Sequence, residues 1–221
     1  MYKIFNTVDE VAHYTAQRVL EKAKTKPHAI LGLATGSTME PVYKQLVQLV
    51  EQSSIDLSQL TTFNLDEYIG LSANHQQSYC YFMCQHLFTK LSKPVERYNL
   101  PNGLAEDIET ACQAYSQAIS SRTHVVELSE QTRQDNSRFF DDKEEMPTHA
   151  ITMGIQDILE AKEVLLVVTG RHKAKIMADF YNSNINEALP ASALKRHKNV
   201  TYVLDAAAAS GLAKNCADNF K

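Results

Sequence analysis

Strands that alternate with amphipathic helices predict an α/β protein, with a mostly parallel sheet covered by helices on both faces. Three observations carry this. Apolar runs at residues 29–34, 60–65, 163–169 and 200–204 are short and turn-bounded, which reads as strands rather than helices. Segments between them repeat their apolar residues at helical spacing. No repeat, low-complexity tract or linker composition interrupts the pattern, so residues 1–221 read as one domain.

Taken in order, residues 7–24 predict a helix whose apolar face is Val8, Val11, Ala12, Ala16, Val19 and Leu20. Residues 29–34 predict a buried strand, followed by Thr35-Gly36-Ser37-Thr38. A helix then carries Met39, Val42, Tyr43, Leu46, Leu49 and Val50 on one side. A second strand, 60–65, ends in Asp66-Glu67-Tyr68. Residues 77–91 and 105–119 predict helices, and 99–103 a loop. A short strand follows at 124–128, a polar helix at 129–136 and an acidic loop at 141–147. Residues 150–154 are strand-like and 155–161 a short helix. The run VLLVVT within 163–169 reads as the clearest buried strand, with a helix over 170–181. A helical piece at 191–196, a last strand at 200–204 and an Ala-rich helix complete the chain.

Composition narrows the function. Hydrophobic residues make up 44% of the chain and charged residues 22%, enough for a sizeable core. A net charge of −4 argues against a broad nucleic-acid-binding face, and no apolar run reaches membrane-span length. The cysteines Cys80, Cys84, Cys112 and Cys216 form no CxxC pair, and the eight histidines show no HxH or HExxH spacing; neither set implies a metal. No secretory leader opens the sequence. These features predict a reduced, cytoplasmic protein without a metal site.

The chemistry-bearing residues fall at strand ends, where ligands bind in open α/β sheets. Strand, glycine turn and helix at Thr35, Gly36, Ser37 and Thr38 aim backbone N–H groups and a helix dipole at an anion, typically phosphate. The alternative is a tight turn with a Ser/Thr helix cap. The turn is neither a P-loop nor a dinucleotide fingerprint. Asp66 and Glu67 follow the neighbouring strand, where a carboxylate can abstract a proton from a bound substrate or simply shape a turn. Arg138, in Asn136-Ser137-Arg138-Phe139-Phe140, suits forked phosphate recognition or packing beside the phenylalanines. Lys173 opens a helix after the strand at 163–169, positioned to meet an anion or lie in solvent. Together the three basic or N–H-rich places suggest one phosphorylated small molecule.

The strings LATGSTMEPVYKQL, TTFNLDEYIGL, NHQQSYCYFM, SSRTHVVEL, NSRFF, AITMGIQDILEAKEVLLVVTG and RHKA occur in the order seen in glucosamine-6-phosphate deaminases, which the chain resembles over roughly residues 5–205. DEYIGL and NSRFF favour that family over 6-phosphogluconolactonase. The resemblance implies a Rossmann-like three-layer sandwich. It implies conversion of glucosamine 6-phosphate and water to fructose 6-phosphate and ammonia in amino-sugar catabolism, without metal or redox cofactor. By resemblance, Gly36 to Thr38 hold the sugar phosphate with Arg138 and Lys173, and Asp66 moves the proton between C2 and C1, with Glu67 in support. Homo-oligomers occur in the family, and no oligomer-specific feature stands in this sequence.

The chain departs from the family at one place. A GxGxDGHIAFNEP-type segment, carrying a strand, a catalytic Asp, a ring-opening His and its Glu partner, has no counterpart between Ile119 and Ser120. A non-catalytic phosphosugar binder is therefore the alternative, beside a galactosamine-6-phosphate isomerase or a lactonase. The basic residues of the family's allosteric site are replaced by His124 and Val126, so regulation is not carried over. A family-like Asp-Glu pair reads Asp205-Ala206.

Overall fold

The computed structural model describes residues 1–53, 55–119, 123–137, 140 and 146–212. They form two compact units, one from Met1–Glu21, Gly36–Ser53 and the described residues after Ile155, the other from Lys22–Thr35 and the described residues of Ser54–Gly154.

In the first unit, β1 (Tyr2–Phe5), β9 (Val200–Asp205) and β8 (Val164–Val168) form a parallel sheet in the order β1-β9-β8. The central β9 is buried along its whole length. Helix α1 (Val8–Thr25) opens with a capping box. The Thr7 hydroxyl accepts from the Glu10 N–H at 3.2 Å, and Glu10 Oε2 accepts from the Asn6 and Thr7 N–H groups at 2.9 Å. Helix α2 (Met39–Ser53) buries Val42, Tyr43, Leu46 and Val50, the face its periodicity predicts. The short α6 (Ile155–Leu159) precedes β8. After β8 come a 3-10 turn, Arg171–Lys173, and α7 (Ala174–Asn182). Met177 and Phe180 of α7 pack with Leu194, Val200, Tyr202, Leu204 and Ala208. The last of these belongs to α8 (Ala206–Ala209).

The second unit holds two three-stranded sheets. The first is parallel, β2 (Ile30–Leu33), β3 (Thr61–Asn64) and β5 (Arg97–Asn99), in that order. The second is antiparallel, with β7 (His149–Thr152) between β4 (Asp66–Tyr68) and β6 (His124–Glu127). Helices α3 (Tyr79–His86), α4 (Ile108–Ile119) and α5 (Glu130–Ser137) complete it. Phe63 meets the Tyr115 ring edge-on at 5.9 Å, and the Tyr115 hydroxyl donates to the Asn64 carbonyl at 2.8 Å.

The expected α/β class with predominantly parallel pairing is present. Two local expectations need correction, and one of the two open readings of a third segment falls. Asp66-Glu67-Tyr68 is a strand rather than a turn, because it pairs with β7 from Asp66 opposite Thr152 to Tyr68 opposite Ala150. Residues 29–34 and 163–169 do not supply buried strands. Among the described residues β2 pairs with β3 alone and Ile30 is 72% exposed, while every residue of β8 is half-buried and β9 is its one strand neighbour.

Candidate active site

The glycine turn comes first in the chain. Gly36 has φ +96°, a left-handed conformation that side chains disfavour, and nothing lies within 4 Å of where a Cβ would stand. The conformation, not crowding, requires glycine here, and the space beside it is open. The Met39 N–H, at the start of α2, donates to the Gly36 carbonyl at 2.8 Å. Gly36 and Ser37 are exposed; Thr35 and Thr38 are half-buried.

Within the same unit as Gly36, Ser37 and Thr38, the end of β8 supplies the next pieces. The Thr169 hydroxyl reaches the Thr38 hydroxyl at 3.5 Å. The Gly170 N–H donates to both carboxylate oxygens of buried Asp205 at 3.1 Å, and Asp205 Oδ1 also accepts from the Ala208 N–H at 2.7 Å. Asp205 thus ties the Arg171–Lys173 turn to the start of α8. Sequence reasoning gave it no role, although an Asp directly before an alanine run is an N-cap signal. Lys173 is half-buried, and among the described residues its ammonium has no hydrogen bond or ion pair.

Thr35, Asp66 and Glu67 lie in the second unit. Asp66, on β4, is half-buried, and its carboxyl is pushed up to about 7, first by burial and then by the negative charge of Glu67. A carboxyl tuned to neutrality both accepts and returns a proton. Glu67 is 3% exposed and points to the opposite face of the strand. Oε1 accepts the Tyr68 and Tyr79 N–H groups and Oε2 that of Cys80, all at 2.9 Å. Burial raises the Glu67 carboxyl while these three donors oppose the rise.

Arg138 lies outside the described residues. Asn136, Ser137 and Phe140 of its string are described, and two of them, Asn136 and Phe140, meet Tyr68. The Asn136 amide donates to the Tyr68 hydroxyl at 3.0 Å, and the Phe140 ring stands edge-on to Tyr68 at 6.1 Å. Burial holds the Tyr68 hydroxyl above its ordinary range. Sequence reasoning missed Tyr68 because its partners come from distant strings.

These features define a class: an α/β protein with an anion-competent strand–turn–helix, a half-buried lysine at a second strand end, and a carboxyl poised near neutral pH. Comparison with known proteins narrows it. Residues 5–136 and 124–203 match the family described as glucosamine-6-phosphate isomerases/6-phosphogluconolactonase. The glucosamine-6-phosphate deaminase of Alkaliphilus oremlandii (strain OhILAs) is 40% identical over 220 residues, covering 87% of this chain and 91% of the relative. Glucosamine-6-phosphate deaminase 1 of Bacillus subtilis (strain 168) is 38% identical over 232 residues, covering 92% and 96%. The solved structure of a monomeric glucosamine-6-phosphate deaminase aligns with a TM-score of 0.91 at 37% identity, over 95% of this chain and 99% of that one. The 6-phosphogluconolactonase of Trypanosoma brucei, 16% identical with a TM-score of 0.69, covers 96% and 98% and shares the fold. The chain belongs to the glucosamine-6-phosphate isomerase/6-phosphogluconolactonase family.

Proposed function

We propose that this protein is a glucosamine-6-phosphate deaminase, working in the cytoplasm in amino-sugar catabolism, with Asp66 as its proton-transfer base. The observation that carries the reading is the Asp66 carboxyl, half-buried at a strand end and pushed up to about 7. Thr35, Gly36, Ser37, Thr38, Arg138 and Lys173 take the sugar phosphate. The N–H groups at the start of α2 and the two cations match its charge.

In the open-chain substrate, C1 is an aldehyde and C2 carries the amine and one hydrogen. Asp66 removes the C2 proton and returns a proton to C1, while O1 gains a proton. The double bond then lies between C2 and nitrogen. Water adds to this imine carbon and ammonia leaves, giving the C2 ketone of fructose 6-phosphate. A base near neutrality serves both directions of this transfer, which is worth about 10²–10⁴-fold in rate.

The test is release of ammonia and fructose 6-phosphate from glucosamine 6-phosphate, with galactosamine 6-phosphate and 6-phosphogluconolactone compared in parallel. Asp66→Asn is expected to lose turnover by at least about 10²-fold while still binding substrate; unchanged turnover overturns the assignment.

One observation favours a second reading, a phosphosugar binder without turnover: the family's acid/base segment has no counterpart between Ile119 and Ser120. A melting temperature raised by glucosamine 6-phosphate, with no ammonia released, selects the binder.

A further inference from the structure

Glu67 is a buried carboxylate that the proton transfer does not use. Its three backbone donors come from its own strand neighbour, Tyr68, and from the first two residues of α3, Tyr79 and Cys80. Ser78 already caps α3 by accepting the Tyr81 N–H at 3.0 Å, so the helix does not lack an ordinary cap. Burying a carboxylate is costly, and three N–H bonds favour its charged form. Glu67 is therefore a buried carboxyl, held by three donors, that clamps β4 to the N-terminus of α3. Its chain neighbour is Asp66, whose partner across the strand pair is Thr152 of β7.

We propose that Glu67 is the positioning residue of Asp66, holding the base-bearing strand on α3 and placing a second carboxyl next to the base. The inference rests on the reading of Asp66 as the base. Burial is the larger cause of the raised Asp66 carboxyl, and the charge of Glu67 adds to it in the same direction. The surrounding titratable groups do not replace it. Tyr68, Tyr79, Tyr115 and Cys80 are all pushed up by burial, and so stay neutral where Asp66 titrates. The imidazoles nearby are His124, in the same cross-strand row as Asp66 through Thr152, and His75, stacked on Phe140.

The experiment follows the Asp66 carboxyl carbon by ¹³C NMR across pH in the intact chain, with Asp66→Asn giving the assignment. Glu67→Gln keeps the shape and removes the charge. Its Asp66 midpoint is expected to fall by about one pH unit, and the acid limb of kcat/KM for ammonia release to fall with it. His124→Gln and His75→Gln are expected to leave the midpoint in place. A lower melting temperature with an unmoved midpoint makes Glu67 merely structural and overturns the proposal, as does a midpoint that follows either histidine instead. Should Glu67→Gln fail to fold, the wild-type titration decides: Glu67 must lose its proton below the Asp66 midpoint, and a Glu67 carboxyl still protonated there overturns the proposal. Absence of ammonia release by the wild type counts against the deaminase reading, while the NMR midpoints still decide the role of Glu67.

Discussion

Asp66→Asn is expected to stabilise this protein at alkaline pH while removing its turnover. The Asp66 carboxyl ordinarily titrates at 3.8 and is pushed up to about 7 in the fold. Between these values the folded chain holds a proton that the unfolded chain has released, so stability falls as pH rises through the window. The penalty is absent below pH 3.8 and complete above about 7. Each pH unit is worth about 1.36 kcal/mol, giving a ceiling of roughly 4 kcal/mol. Screening at a half-buried carboxyl brings the expectation to about 2 kcal/mol. Asparagine is neutral throughout and carries no such penalty. For a chain of this size, about 2 kcal/mol raises the melting temperature by roughly 4–8 °C. Thermal melts of both proteins at pH 4 and pH 8 check this, reading the first transition if the two units separate. The melts are expected to coincide at pH 4, with the variant higher at pH 8. A variant that melts at or below wild type at pH 8 refutes the argument that burial sets the Asp66 carboxyl.

Lys173→Ala is expected to weaken binding of glucosamine 6-phosphate by about tenfold, the effect of one lost charged hydrogen bond, and calorimetry reads it; equal affinities remove Lys173 from the phosphate site. Asp205→Ala leaves the Gly170 and Ala208 N–H groups without their acceptor and is expected to cost about 1–3 kcal/mol in urea unfolding. Ile30→Lys replaces an exposed side chain on a strand edge. It is expected to change stability by less than about 0.5 kcal/mol and to reduce concentration-dependent self-association in sedimentation, as edge lysines do.

The helices were legible where their periodicity is strong: α2 buries Val42, Tyr43, Leu46 and Val50 of the face that helical spacing marks. The strands were legible where they are apolar and illegible where they are not. β5 reads Arg-Tyr-Asn, and β1 is four residues with a lysine. β4 reads Asp-Glu-Tyr, so local composition suggested a turn; pairing with β7, more than eighty residues along the chain, makes it a strand. The position of Asp66 could be read because it follows an apolar run. Its tuned carboxyl could not, since burial and the Glu67 charge arise only from packing. Glu67 hides for the same reason: two of its three donors belong to α3, twelve and thirteen residues on.

The remaining mismatch between sequence and structure concerns two strand edges. Val164-Leu165-Leu166-Val167-Val168 has no polar residue, the composition of a parallel strand covered on both faces, yet every position of β8 is half-buried and, among the described residues, β9 is its one strand neighbour. β2 is similar, with β3 as its one neighbour among the described residues and Ile30 72% exposed. Natural edge strands are short, charged or covered, and neither of these carries a charge to block pairing. Their sequences fit interior positions in a sheet.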